Sequence, residues 1–204
     1  MIAVIDYDAG NVKSVEKALE RSGSEYILTS DPDTILSADG VILPGVGNFG
    51  DCMNKLRDRK LDKAIYDYVG TGKPFLGICV GLQLLFEESE ESPGTAGLGI
   101  LKGKIKKFTA TSELKVPQIG WNCVSDVKGR LFKDIPEGTF FYFVHSYYLD
   151  SEDRSIVTSH TEYGTMFDSS VESKNVFAVQ FHPEKSSDMG LKVLQNFLDI
   201  VKEG

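Results

Sequence analysis

Residues 74–86 confine the fold more tightly than any other stretch of the chain. Pro74-Phe75-Leu76 is a short apolar run that suits a strand, with proline tolerated at its first position. Leu82, Leu84, Leu85 and Phe86 open a helical apolar pattern. Between them stands Gly77-Ile78-Cys79-Val80-Gly81. Small residues two before and two after a nucleophile, at a strand-to-helix junction, make the G-x-S-x-G elbow with sulfur in place of oxygen. Glycine permits a turn that a Cβ would block. Such a turn presents Cys79 at the sheet's edge, beside a helix N-terminus that favours anions, and leaves the Val80 N–H for an oxyanion. A small buried cysteine in a glycine-rich βα turn fits the same five residues equally well.

The first half alternates strand and helix. Residues 2–5 are continuously apolar, as in a central parallel strand covered on both faces. Val12, Val15, Ala18 and Leu19 repeat at helical spacing, with Gly23 placed to cap. Residues 26–28 and 41–43 are further strands, and one long helix is expected from about Asp51 to Tyr68. In the second half, residues 101–108, 121–124, 139–145, 155–159 and 176–180 predict shorter strands, some of them antiparallel. A final helix carries Leu191, Leu194, Phe197, Leu198 and Val201 on one face. The expected fold is α/β: a doubly wound, mostly parallel central sheet flanked by helices, with additional antiparallel strands in the second half. Ligands of such sheets bind beyond the strands' C-terminal ends, where residues 45–47 and Cys79 fall.

Bulk properties exclude several functions. The chain has 204 residues and no linker rich in Pro, Gly or Ser, so a single domain over 1–204 is expected. A net charge of −8 argues against nucleic-acid binding. No apolar stretch reaches a membrane span, and residues 1–5 lack the flank and length of a signal peptide. Three irregularly spaced cysteines, Cys52, Cys79 and Cys123, suggest neither a disulfide framework nor a zinc site. The cytoplasm is the expected compartment, and no metal or cofactor is expected. Glu87, Glu88, Glu90 and Glu91 oppose a helix C-terminus, which predicts that the Cys79 helix ends near a solvated loop. Lys102, Lys104 and Lys106 alternate on what reads as a solvent face.

Gly45-Val46-Gly47-Asn48-Phe49-Gly50 matches G-x-G-x-x-G between a strand and a helix, so a dinucleotide-binding oxidoreductase is a rival. The loop follows a later strand instead of opening the first βα unit, and Asp62 and Asp67 sit inside the expected long helix. A glycine loop with free N–H groups at a helix start also binds anions, and could complete an oxyanion hole beside Cys79.

The base must come from His145, His160 or His182. Residues 177–181 alternate towards a strand end, followed by His182-Pro183-Glu184. In an extended chain His182 and Glu184 project to one side, which lets the carboxylate orient the imidazole, and Pro183 stiffens the pair. A surface His beside a Glu is the bland alternative. His145, after Phe141-Tyr142-Phe143-Val144, reads as a packed strand-end residue.

With elbow, glycine loop and His-Pro-Glu together, the chain resembles the triad-type (class I) glutamine amidotransferases, and among them the glutaminase subunits of imidazole glycerol phosphate synthases. The resemblance runs nearly end to end. Its segments are Tyr7-Asp8-Ala9-Gly10-Asn11-Val12, Pro44-Gly45-Val46-Gly47-Asn48-Phe49, Gly77-Ile78-Cys79-Val80-Gly81-Leu82-Gln83, Gly120-Trp121-Asn122, Phe143-Val144-His145-Ser146-Tyr147 and Gln180-Phe181-His182-Pro183-Glu184-Lys185-Ser186-Ser187. Val80 and Leu82 stand where Leu and Met are expected, both apolar exchanges.

The resemblance implies hydrolysis of L-glutamine by Cys79, His182 and Glu184. Val80 and the loop residues Val46 and Gly47 would form the oxyanion hole, the loop needing a peptide reorientation. Gln83, Gly45, Ser146 and Tyr147 would contact substrate. It also implies a separate (β/α)₈-barrel cyclase in a heterodimer, because this chain is too short to hold a barrel of about 250 residues as well. Ammonia would pass to that subunit to form imidazole glycerol phosphate and the aminoimidazole carboxamide ribotide. Trp121 and Asn11 would lie at the interface. Competing assignments are another triad-type amidotransferase subunit, a stand-alone cysteine amidohydrolase, and a non-enzymatic binding module in which Cys79 is dispensable.

Overall fold

A computed structural model describes residues 1–9, 12–112 and 114–203. The first half runs β1 (Ile2–Ile5), α1 (Val12–Arg21), β2 (Tyr26–Thr29), α2 (Pro32–Ser37), β3 (Gly40–Gly45), α3 (Phe49–Asp58), α4 (Leu61–Gly70), β4 (Phe75–Cys79) and α5 (Val80–Leu84). The second half adds β5 (Glu88–Ser89), β6 (Gly103–Lys107), β7 (Gln118–Cys123), β8 (Phe140–His145), β9 (Tyr147–Ser151), β10 (Val157–Glu162), β11 (Met166–Ser173), β12 (Val176–Val179) and α6 (Ser187–Glu203). Ten strands form one sheet in the order β2-β1-β3-β4-β12-β11-β9-β6-β5, with β10 on β11. The run from β2 to β12 is parallel, and β11, β9 and β6 continue it antiparallel. A separate antiparallel ribbon pairs β7 with β8. The helices fall into two contacting groups, α1 with α6, and α2 to α5 together. Every residue of β1, β3, β4 and β12 is buried, as parallel strands between helix layers require.

The expected helix from about Asp51 to Tyr68 is two helices, broken where Lys60 turns left-handed at φ 57°. The buried set of α3 ends at Leu56 and that of α4 resumes at Leu61. Five residues rotate a continuous helix about 140° past a full turn. Leu61 would then point away from Leu56's face, and the break restores its phase. The acids after α5 are not simply solvated. Glu88 pairs with Lys104 at 2.7 Å, Glu90 accepts from the Lys107 amide at 2.7 Å, and Glu91 turns back onto the start of α3. Lys104 and Lys106 do face solvent, each in an exposed ion pair worth little to stability. Strands β9 and β11 have no counterpart in the sequence expectation. The buried face of α6 is centred on Val193, Leu194 and Phe197, leaving Leu191 and Val201 half-buried.

Around Cys79 the glycines are required for space. A Cβ on Gly81 would stand 2.0 Å from the Leu43 carbonyl oxygen, and one on Gly77 would stand 2.7 Å from the Gly81 oxygen. The backbone of α5 therefore rests directly on strands β3 and β4. Gly81→Ala is expected to cost about 3 kcal/mol or more in urea denaturation, because backbone must move on both sides. Gly70→Ala, which meets nothing within 4 Å at the end of α4, should instead gain up to about 1 kcal/mol. Equal effects at the two positions would refute the close seating of α5.

Candidate active site

Cys79 ends β4 with φ 56° and ψ −110°, a conformation that L residues adopt only under constraint from their surroundings. The side chain is thereby turned off the strand to head α5. Val80 supplies the first helical amide, which has no intrahelical acceptor. Gly45 and Cys79 form the last rung between β3 and β4. In a parallel ladder alternate residues point both N–H and C=O at the same neighbour. The Val41 amide donates to the Pro74 carbonyl at 3.0 Å, which sets that phase for Val41, Leu43 and Gly45. Cys79 has left the extended conformation, so that phase ends at this rung. Further along the loop Gly47 has φ 105°. The start of α3 offers no free anion site: Phe49 N–H donates to Glu91 at 2.7 Å, and Gly50 N–H to Asn48 and Ser92 at 2.9 and 3.0 Å.

The parallel pairing of β12 with β4, Val179 on Ile78, delivers the segment after β12 to the same sheet edge. There the chain does not stay extended. His182 is extended at φ −100°, ψ 95°, but Pro183–Lys185 is a single 3₁₀ turn. That turn folds Glu184 back so that His182 Nδ1 donates to Glu184 Oε1 at 2.8 Å, with both side chains only 2% exposed. The ribbon grips the turn. His182 N–H donates to the Tyr142 carbonyl and Tyr142 N–H to Ser186 Oγ, each at 2.9 Å, and Phe141 stacks on Phe181 at 4.1 Å.

A cavity of about 430 Å³ joins these parts, lined by Val46, Gly47, Cys79, Val80, Gln83, Ser146, Tyr147 and His182. Burial disfavours a charged His182, but the Cys79 sulfur and the hydrogen bond to Glu184 outweigh it and raise its pKa to about 10. His182 Nε2 has no hydrogen-bond partner at ordinary distance among the described residues, yet the Cys79 sulfur is near enough to raise its pKa. His145 lines the same cavity and is pushed the other way, to about 4, chiefly by burial. Its Nδ1 donates to the Tyr147 carbonyl at 2.8 Å. It is the packed strand-end histidine expected. Two histidines on one cavity thus hold opposite charge states, the arrangement that separates proton donor from neutral scaffold.

Gln83 Nε2 donates to the Tyr147 carbonyl and to Gln180 Oε1, both at 3.1 Å. An amide nitrogen has two hydrogens; both are committed, so Gln83 offers a ligand an acceptor. The Ser146 carbonyl accepts from the Phe108 amide at 3.1 Å. Gly45 lies behind the cavity wall, its Cα packed on the start of α5. Trp121 stands apart on the ribbon, 52% exposed. Asn11 lies outside the described residues. Three residues at the site escaped the sequence reasoning. Glu91 and Lys185 line the cavity, and buried Gln180 donates to Cys79 Sγ at 3.8 Å. Lys185 follows directly on His182-Pro183-Glu184, a signal available in the sequence, whereas Glu91 arrives from the far side of β5. No cluster of His, Cys, Asp or Glu among the described residues has the makings of a metal site, and no described helix is long and apolar enough to cross a membrane.

The family described as glutamine amidotransferase class-I matches residues 3–201. The chain belongs to that family. This amidotransferase is 52% identical over 202 residues to the imidazole glycerol phosphate synthase subunit HisH of Moorella thermoacetica, covering 98% of this chain and 95% of that one. It is 47% identical over 205 residues to subunit HisH 1 of Methanococcus maripaludis, covering 98% and 100%. Among solved structures it resembles a glutamine amidotransferase with a TM-score of 0.78 at 18% identity, covering 99% and 100%. It also resembles PurLQS from Thermotoga maritima, with a TM-score of 0.73 at 24% identity, covering 97% of each chain. The likeness to these two structures shows the fold alone.

The amidotransferase's buried neutral His145 predicts an acid weakness. An unfolded histidine titrates near 6.5 and this one near 4, so between those values the unfolded chain binds more protons and stability rises with pH. The contribution is complete above pH 6.5, and at pH 5 about 2 kcal/mol of it should be lost. Urea denaturation at pH 7.5 and pH 5 should show a smaller acid loss for His145→Gln than for the parent. Equal losses would show that His145 is not the titrating group.

Proposed function

We propose that this chain is the glutaminase subunit of an imidazole glycerol phosphate synthase, hydrolysing L-glutamine with Cys79, His182 and Glu184. The observation that carries this is a cysteine held at positive φ on the same cavity as an imidazole whose far nitrogen is buttressed by a buried carboxylate. The Cys79 thiolate adds to the carboxamide carbon, and the imidazolium of His182 gives its proton to the departing nitrogen as ammonia. The resulting thioester is cleaved by a water that loses its proton to His182, releasing glutamate and restoring the thiol. Glu184 keeps the ring oriented and stabilises the imidazolium without itself taking the proton.

The tetrahedral oxyanion would be held by the Val80 amide with a second donor from Val46 or Gly47. Val46 and Gly47 line the same cavity as Val80, which supports this reading of the oxyanion hole. Gln83 and Glu91 present acceptors suited to the α-ammonium group of glutamine, Lys185 a cation suited to its carboxylate, and Ser146 and Tyr147 border the same end.

The partner in this reading is a separate (β/α)₈-barrel cyclase, which takes the ammonia into imidazole glycerol phosphate and the aminoimidazole carboxamide ribotide. Its docking face is the outer side of the β7–β8 ribbon, where Ile119, Trp121 and Phe140 are 63%, 52% and 56% exposed. Trp121 meets Tyr142 edge-to-face at 6.2 Å. The ribbon's inner end supplies Val144 to the cavity, so a partner seated there adjoins the reaction.

In the reconstituted complex, Cys79→Ala should abolish glutamine-dependent cyclisation while ammonium salts still support it. Loss of both activities, or of neither, would overturn the division of labour. Glutamine turnover as fast without the cyclase as with it would favour a stand-alone amidohydrolase. Trp121→Ala should weaken cyclase binding about 30-fold or more in titration calorimetry, the effect of removing a central aromatic anchor. An unchanged affinity would move the interface elsewhere.

A further inference from the structure

The orientation of the Gln180 amide is fixed by a chain of side chains that ends on a group able only to accept. The Tyr147 carbonyl takes Nδ1–H of His145 at 2.8 Å and Nε2–H of Gln83 at 3.1 Å. Turning the Gln83 amide over would set its oxygen against that carbonyl. The Gln83 nitrogen therefore also faces Gln180, at 3.1 Å, and Gln180 must meet it with Oε1. The Gln180 nitrogen is left for the Cys79 sulfur, which it approaches at 3.8 Å. An N–H, and not a lone pair, is aimed at the nucleophile. The backbone places it there. Val179 pairs with Ile78 in the parallel register of β12 and β4, so the next residues, Gln180 and Cys79, come abreast. The Gln180 amide donates to the Ser169 carbonyl at 2.8 Å, which carries the pairing with β11 one residue further. Gln180 is fully buried and does not line the cavity, so it meets Cys79 without meeting what Cys79 attacks. The Cys79 thiol has an acceptor of its own in the Val144 carbonyl at 4.0 Å. The sulfur thus has an acceptor that suits S–H and a donor that suits S⁻.

We propose, on the glutaminase assignment above, that Gln180 is a catalytic residue whose side-chain N–H stabilises the Cys79 thiolate, both as it attacks glutamine and as it leaves the thioester. A hydrogen bond to an ionised acceptor is about twice as strong as one between neutral groups, and the sulfur of a thioester is neutral. The bond is therefore strongest in the two thiolate states. When the thioester C–S bond breaks, its electron pair stays on sulfur, where this N–H already points, and no group has to reorient. His182 and Gln180 then hold one thiolate by different means, an imidazolium by its charge and an amide by a hydrogen that does not titrate.

The test is the pH profile of Cys79 alkylation by iodoacetamide, read on the Cys79 peptide by mass spectrometry, for the full chain without cyclase or glutamine. His182 and Tyr7, the other titrating groups that interact with the sulfur, stay the same in both proteins compared. Gln180→Met keeps the length and removes the donor. Its pH of half-maximal rate should rise by about one, the tenfold loss of thiolate expected when a hydrogen bond to a charged group goes. In the complex with the cyclase its glutamine-dependent kcat should fall about threefold to tenfold. Were Gln180 only a prop for Gln83, KM would rise while the alkylation profile stayed where it is. That result, or a profile displaced to lower pH, would overturn the proposal. Thermal melting establishes folding; should Gln180→Met fail it, side-chain amide NMR of the labelled parent decides. Of the two Gln180 Nε2 protons, one should move downfield as Cys79 ionises while the other barely moves, and equal or absent movement would overturn the proposal. The glutaminase assignment falls separately, only if the parent with cyclase leaves glutamine intact or Cys79→Ala hydrolyses it.

Discussion

The structure depends on a backbone-to-backbone contact that has no side chain in it. Gly81 approaches the Leu43 carbonyl so closely that a methyl group would stand 2.0 Å from the oxygen, and this seats the first turn of α5 across β3 and β4. Once α5 starts there, the chain has one residue in which to leave the strand and enter the helix. That residue is Cys79, and the reversal places it at φ 56°. A conformation of this kind costs on the order of 1–3 kcal/mol and persists only where the surroundings over-determine it. Here they do, since Gly77 and Gly81 give the space and the fully buried β4 gives the anchorage.

The same contact explains why the rest of the site comes from so many places. A sheet ordered β3-β4-β12 puts three strand ends side by side: the 44–47 loop, Cys79, and the 182–186 turn. Parallel strands deliver their C-terminal ends to one edge, so sequence separations of a hundred residues collapse to neighbouring rungs. The antiparallel half of the sheet and the ribbon then close the cavity from the side, through Val144, His145, Ser146 and Tyr147. The Tyr142 backbone, bonded both to His182 and to Ser186, makes that side wall a support for the base.

What could be read from the chain divides along the range of the interactions. The elbow, the parallel strands and the His-x-Glu pair were legible because each is specified within a few residues. The pair was nevertheless read with the wrong local geometry: an extended chain and a 3₁₀ turn can both bring residues 182 and 184 together, and Pro183 at the first position of the turn favours the latter. The break at Lys60 was legible too, in the five-residue step from Leu56 to Leu61, but composition alone looks like one helix. Strand β11 carries five consecutive buried residues, Phe167 to Val171, and the Ser159 hydroxyl is bonded to those of Ser169 and Ser170 at 2.8 and 2.6 Å. Polar residues satisfied across strands erase the alternation by which a strand is recognised. Glu91 was hidden for a similar reason, since nothing beside it in sequence shows that the start of α3 binds one oxygen of its carboxylate and turns it towards the cavity.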